Sequence, residues 1–314
     1  MAPDLAAAER ILRAACGDRL RVGFPLAPLT TFRIGGPASL YLEPEDEADL
    51  AAAARAILAT GIGWTVLGKG SNVLVADEGF RGLVLRLGRG FRWAARDGER
   101  LTAGGSMPLP ALAGVALQHS LAGLEFGVAI PASLGGATRM NAGAHGGELG
   151  DVVARVEVFV MGAERTETIG PEAAGFAYRR TSLPDDAVVI GATLHLAPGD
   201  PAEIRTRMDE AREWRRRTQP LAEPNCGSVF TNPPGASAAR LIEEAGGKLL
   251  REGAARVSDK HANFIVAGPG ASAADVRRLI DRLHELVRTR TGIELVPEVV
   301  LVGGFDARFD GAQA

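Results

Sequence analysis

Residues 127–150, GVAIPASLGGATRMNAGAHGGELG, hold seven glycines. Backbone of that kind can turn through positive φ and lie flat against a ligand, with peptide N–H groups pointing at it. Ser133, Thr138, Asn141 and His145 are the uncharged polar side chains of the run. Ile130, Pro131, Leu134 and Met140 are apolar residues for which a solvated linker has no use. The stretch reads as an ordered cradle for something large and partly anionic. A second run, Gly68-Lys69-Gly70-Ser71-Asn72, offers related chemistry. Residues 63–69 fit the start of GxxxxGK[ST], but Gly70 stands where a hydroxyl should bind magnesium, and the apolar residues 73–75 follow in place of a helix. A dinucleotide fingerprint fails too, because Val73 occupies the position of its third glycine. What remains is a nest of backbone N–H groups beside a lysine, suited to a pyrophosphate without a helix behind it. On its own, the run reads equally well as a tight turn between strands.

The elements that must position these runs follow from caps and periodicity. Helices are expected over residues 4–15, 46–58, 108–119, 200–217 and 236–245. Another opens at a Ser272-x-x-Asp275 capping box and buries Val276, Leu279, Ile280, Leu283 and Val287. In the second helix, Leu50, Ala54, Ile57 and Leu58 form the apolar face. Strands are expected over residues 40–43, 64–67, 83–87, 91–95, 100–103, 152–160, 187–196, 225–232, 260–267 and 295–302, the last interrupted by Pro297. Residues 40–67 form a β-α-β pattern, and Asp97-Gly98 marks a hairpin. Residues 218–224 read as a linker and 306–314 as a disordered tail. Strands and helices mix without strict alternation, which makes the fold class α+β.

At 314 residues the chain exceeds what one core usually holds, so two or three domains are expected. A net charge of −3 gives no reason to expect nucleic acid or an anionic membrane as partner. The start, MAPDLAAAER, lacks the apolar core of a signal peptide, and no apolar run approaches a membrane span. The two cysteines, Cys16 and Cys226, supply neither a disulfide framework nor a metal cluster. A cytoplasmic setting and no metal are therefore expected, and Cys226 reads as packing.

Six stretches in order carry a resemblance: LGKGSNVLVADEGFRGLVL at 67–85, IPASLGGATRMNAGAHGGE at 130–148, AYRRTSL at 177–183, CGSVFTNP at 226–233, SDKHANFIV at 258–266 and PEVVLVG at 297–303. Together they resemble the UDP-N-acetylenolpyruvoylglucosamine reductase (UDP-N-acetylmuramate dehydrogenase) family over about residues 20–303. The resemblance implies the two-part FAD-binding fold of the vanillyl-alcohol-oxidase (PCMH-type) superfamily, plus a third α+β domain that closes over substrate. Residues 1–90 and 91–217 would form the two FAD-binding parts, 218–303 the substrate domain and 304–314 a tail. The implied reaction carries a hydride from NADPH, by way of non-covalently bound FAD, to C3 of UDP-N-acetylglucosamine enolpyruvate. A proton is added at C2, and the product is UDP-N-acetylmuramate for peptidoglycan. The implied partner is this small nucleotide sugar, with no obligate protein partner.

Residue by residue, the resemblance puts Ser228 at the proton donor, Arg179 at the substrate carboxylate and Glu298 close by as a third catalytic residue. A serine hydroxyl is a poor acid and can serve only a strongly basic enolate or carbanion. The planar fork of arginine suits that enolate, and a carboxylate beside an anion should have a raised pKa. Read without the resemblance, these are a turn serine, one of two adjacent surface arginines and an exposed strand glutamate. The implied cofactor contacts are Gly68, Lys69, Gly70, Ser71, Asn72, Pro131, Ser133, Gly135, Gly136, Asn141 and Gly143, and His145 could face the flavin. The implied substrate contacts are Tyr178, Asn232, Lys260, His261 and Asn263.

Three departures from the family pattern stand out. Ala132 replaces the glycine of IPGSxGG, which is tolerable where φ is negative. Val300 stands where a basic residue is usual. Tyr41 and Tyr178 are the only tyrosines, so the inserted tyrosine loop of the long form is absent and the short form is implied. Two alternatives remain: an oxygen-using flavo-oxidase of the same superfamily, and a non-catalytic FAD- or nucleotide-binding relative. The first often needs a His or Cys placed to attach the flavin. The second need not keep Arg179, Ser228 and Glu298 together.

Overall fold

Helices start where a side-chain oxygen can accept one of the orphan N–H groups of the first turn. In the computed structural model, which describes residues 3–305, Asp4 caps Leu5–Cys16 and Asp46 caps Glu47–Thr60. The Ser272/Asp275 capping box opens Ala273–Thr291 as the spacing predicts. The tail expected over residues 306–314 lies outside the described residues.

Two units result. The first comprises the residues up to Val22, Leu40–Lys69 and Gly82–Arg215. The second comprises Gly23–Ser39, Gly70–Arg81 and the residues from Arg216 onward. The linear segmentation put residues 23–39 and 70–81 with the N-terminal part. They pack instead with residues far along the chain, a grouping that local composition does not carry.

The first unit has a four-stranded sheet in the order Leu20–Pro25, Pro37–Leu42, Phe80–Leu85, Gly63–Val66. The strands of the β-α-β pattern share this sheet, but Phe80–Leu85 lies between them and pairs in parallel with Gly63–Val66. A five-stranded antiparallel sheet follows, in the order Arg165–Ile169, Val153–Val160, Ala187–His195, Arg100–Gly104, Ala94–Asp97. Its central strand sends Val189, Ala192 and Leu194 into one apolar cluster and Val188 and Ile190 into another. Alternate side chains leave opposite faces of a strand, and the register irregularity opposite Glu157 and Val158 shifts that alternation, so Ala192 and Leu194 join the cluster of Val189 and the apolar run meets a core on each face. Each fully buried Val or Ile contributes about 1.5–3 kcal/mol.

In the second unit, Ala273–Thr291 buries Val276, Leu279, Ile280, Leu283 and Val287 in a core shared with helix Ala238–Glu244. The same core takes residues from the sheet Arg251–Glu252, Ala255–Val257, Ile265–Ala267. Val73–Val75 and Val300–Val302 form a parallel pair, and Phe32 and Leu74 join the core. Asp77 accepts from the N–H groups of Ala273 at 2.7 Å and Ala274 at 3.0 Å, which clips its segment to the start of the long helix.

Several expectations change. Leu58, placed on the apolar face of its helix, is 53% exposed. Residues 91–95 are not one strand: Arg89–Phe91 is a 3₁₀ turn and the strand is Ala94–Asp97. Residues 225–232 form no strand, because Gly227 at φ +84° breaks the extension and the following N–H groups go to Asn263 and Val296. Only Ile265–Ala267 of residues 260–267 and Val300–Val302 of residues 295–302 are strands. No described helix is long and apolar enough to cross a membrane.

Candidate functional site

The glycine cradle is more regular than its composition suggests. Leu134–Arg139 is a short helix, and Gly143–Ala144 pairs with Gly147–Glu148 as a hairpin. A short helix therefore lies in the cradle, whereas residues 68–72 run into the strand Val73–Val75 with no helix behind them, as expected. Ser133 occupies the N-cap position with extended backbone, yet its hydroxyl caps nothing in the helix. A Cβ on Gly68 would lie 2.7 Å from Ser133 Oγ, so the two glycine-rich runs meet here only because residue 68 has no side chain. Gly136 faces open space apart from that same hydroxyl at 3.6 Å. Gly135 has a different reason: its N–H donates to Gly105 O at 2.8 Å, and a Cβ would lie 2.8 Å from the Val189 carbonyl oxygen. It is a packing glycine, not a ligand-facing one. Ala132 is absent from the described residues with positive φ, which explains why alanine replaces glycine there. Pro131 is exposed beside it.

Residues 68–72 fit an anion. None of their five N–H groups donates to a described residue. Gly70, at φ +62°, gives its carbonyl to the Thr31 N–H at 2.9 Å, and Ser71 is half-buried. Burial lowers the pKa of Lys69, and the nearby charges of Arg86 and Arg92 lower it further. Within the first unit, the undonated N–H groups of Gly68 and Lys69 with the charges of Lys69, Arg86 and Arg92 suit a diphosphate such as that of FAD. Gly68, Lys69, Ser133 and Gly136 would hold that group.

Arg179 reaches the cradle through a tight turn. Ala177 and Arg180 exchange main-chain hydrogen bonds at 3.0 and 3.1 Å, leaving Tyr178 and Arg179 at the turn's tip. Arg179 takes φ +59°, a conformation that non-glycine residues avoid. Its guanidinium donates to Gly143 O at 2.9 Å and lies 5.2 Å from the centroid of the exposed Tyr178 ring. Asn141 ties the same turn from below. Its amide donates to Ala177 O at 2.9 Å and Glu148 Oε1 at 2.8 Å, and its Oδ1 accepts from Gly150 N at 2.8 Å. At 0% exposure its polar atoms face the protein, so Asn141 shapes the cradle and does not present its amide to a cofactor. Arg139, not singled out by the sequence, donates to the carbonyls of Leu183, Pro184 and Ala187 and so fixes the far end of the loop. The His145 ring packs edge-on against Trp214 at 5.0 Å.

The second unit places Ser228 and Glu298 on adjacent segments. Phe230 and Pro297 form an antiparallel bridge, and the Glu298 N–H donates to Val229 O at 2.7 Å. Asn225 sets up this region: its Oδ1 accepts from Gly227 N at 2.9 Å and its amide donates to Pro220 O and Glu223 O. The Asn-x-Gly spacing was the available signal for that turn. Ser228 is half-buried. Asn72, expected at a cofactor, donates its side-chain amide to Glu298 O at 3.0 Å.

The expected substrate residues divide. Asn263 is 3% exposed, and its amide closes on both main-chain groups of Phe230, at 3.0 and 2.8 Å. It holds the Ser228 segment, with both of its side-chain polar atoms engaged by Phe230. Asn232 is exposed and accepts from Ala238 N at 3.0 Å. The exposed Lys260 donates to Arg216 O at 3.2 Å. Burial holds the His261 imidazole below its usual pKa, although Glu243 opposes this. Its Nδ1 accepts from Asn263 N at 3.3 Å, which leaves the proton of the neutral ring on Nε2. Cys226 is buried, and burial, with Glu298 nearby, pushes its thiol pKa up, as packing requires.

An α+β chain with a glycine cradle, a guanidinium held against that cradle and an anion-binding turn has the parts of a flavin-binding protein. Comparison with known proteins agrees. Residues 38–168 match the family described as FAD binding domain, and residues 219–302 match the C-terminal domain of UDP-N-acetylenolpyruvoylglucosamine reductase. A UDP-N-acetylenolpyruvoylglucosamine reductase of Heliobacterium modesticaldum is 48% identical over 289 residues, covering 91% of this chain and 92% of the relative. The crystal structure of the corresponding Thermus caldophilus reductase is 38% identical, covers 90% of this chain and 99% of that one, and superposes with a TM-score of 0.78. A Phl p 4 variant, a glucose oxidase, shares the fold alone, with 14% identity, coverage of 62% of this chain and 44% of that one, and a TM-score of 0.52. The chain belongs to the UDP-N-acetylenolpyruvoylglucosamine reductase family.

Proposed function

We propose that this chain catalyses the NADPH-dependent, FAD-mediated reduction of UDP-N-acetylglucosamine enolpyruvate to UDP-N-acetylmuramate, a step of peptidoglycan precursor synthesis. The observation that carries the reading is the bond from Arg179 to the cradle carbonyl of Gly143, which brings a guanidinium to the cofactor-binding run. Bound FAD supplies the two-electron relay between NADPH and the enolpyruvyl double bond. Addition of a hydride at C3 leaves an electron pair on C2 that spreads into the adjacent carboxylate. Arg179 stabilises that charge with a planar, permanently cationic fork. The half-buried Ser228 donates its hydroxyl proton to C2 and regains one from solvent. Glu298 serves the same carboxylate region. Tyr178, Asn232, Lys260 and the Nε2–H of His261 are the groups we assign to the nucleotide sugar.

The division into 1–90, 91–217 and 218–303 belongs to this proposal, with residues 23–39 and 70–81 packing with the third part. A cytoplasmic setting is supported by two buried cysteines that remain free thiols. Stopped-flow measurement of Ser228→Ala tests the assignment. Flavin reduction by NADPH should be unchanged, while reoxidation by the enolpyruvyl substrate slows by about 10²–10⁴-fold. Equal impairment of both half-reactions contradicts it.

A further inference from the structure

Asn72 departs from the ladder that it extends. Val73 pairs in parallel with Val300, which sets Asn72 opposite Val299. In a regular parallel ladder such a residue donates its main-chain N–H to the carbonyl of residue 298 and accepts from the N–H of residue 300. Asn72 makes the second bond, with its carbonyl 3.0 Å from Val300 N. It makes the first with its side chain: Nδ2 donates to Glu298 O at 3.0 Å, and the main-chain N–H donates to no described residue.

We infer that Asn72 is a positioning residue for Glu298, its side-chain amide standing in for the main-chain N–H so that the latter is released to the anion-facing run of residues 68–72. Two bonds fix the Glu298 backbone between two partners, Val229 on one side and Asn72 on the other. Only a short side chain with an amide donor fits this exchange. Aspartate would face the Glu298 carbonyl with an acceptor, and alanine or serine would not span the gap. The arrangement makes one residue answerable both for the anion site and for the placement of Glu298. It rests on the role proposed above for Glu298.

The test is hydrogen–deuterium exchange of the FAD-loaded full chain, read on the peptide covering residues 297–302, for Asn72→Asp and Asn72→Ala. Bound FAD would take up the main-chain N–H of residue 72 in the proposed site and so keep it from returning to the ladder. Exchange of that peptide should rise by about tenfold in both variants, as expected for loss of one hydrogen bond at a strand end. Asn72→Asp keeps the side-chain size and guards against a folding failure in Asn72→Ala. Unchanged exchange in both overturns the inference. Kinetics then separates it from the proposed function. Reoxidation by substrate should slow by about tenfold in Asn72→Asp, and the same substitution should add nothing in a Glu298→Gln background. If Glu298→Gln alone leaves reoxidation intact, the catalytic role of Glu298 falls, and the exchange result still decides the placement by Asn72.

Discussion

Arg179, at the tip of its turn, is held in uncommon backbone. It sits at φ +59°, and Asn141 at +42° and His145 at +53° share the same uncommon backbone region. These three are half of the six described non-glycine residues with positive φ, and all lie in or against the cradle. Strain of about 1–3 kcal/mol at such a position persists only where surrounding contacts over-determine it. Here the Asn141 amide, the Gly143 carbonyl and the Tyr178 ring do so. Replacing Arg179 with lysine keeps the charge and removes the fork. We expect substrate-dependent reoxidation to fall by about 10²-fold, with flavin reduction by NADPH unchanged, in single-turnover measurements. A variant within threefold of the parent in both half-reactions would remove Arg179 from the mechanism. Ser228, Arg179 and Glu298 stand out in the sequence only through the motifs of the family resemblance, and their proposed roles await the kinetics. Asn141 and Asn263 were legible only as polar residues. A buried asparagine that closes on main-chain groups looks the same in one dimension as one that faces a ligand.

At the scale of elements, caps and long periodic helices could be read, and irregular segments could not. The Ser272 capping box and the five buried positions after it are where the pattern put them. Residues 225–232 misled, because an apolar pair within a polar run resembles a strand while its hydrogen bonds go to an asparagine side chain and a loop. The Asp77 clip was invisible for a similar reason, since a cap supplied from another part of the chain has no local signature. Asp77→Ala removes an acceptor from two N–H groups of the long helix. It should destabilise the second unit by about 1–2 kcal/mol, seen as a lower urea midpoint, with Asp77→Asn recovering part of the loss. An unchanged midpoint would mean that the helix start needs no cap from that segment.

For the whole molecule, the interleaving of the units was the least legible feature. Residues 23–39 and 70–81 leave the first unit and return to it, and only three-dimensional pairing records where they go. Global stability should also report the buried thiols. Burial, reinforced by Asp49, raises the Cys16 pKa from 9.0 to about 11. The folded state thus keeps a proton that the unfolded chain releases first. This contribution is complete below pH 9 and is lost as pH rises through about 11. Urea midpoints should therefore decline over that window, and Cys16→Ala should flatten the decline. A parent profile identical to that of the variant would refute the assignment.

The central claim is a relay of electrons from NADPH to an enolpyruvyl nucleotide sugar through flavin held by the cradle. The direct measurement is the absorption spectrum of the purified, flavin-loaded protein without oxygen. Addition of NADPH should bleach the flavin band, and addition of UDP-N-acetylglucosamine enolpyruvate should restore it. A band that stays bleached until oxygen is admitted, or a protein that binds no flavin, would contradict the account.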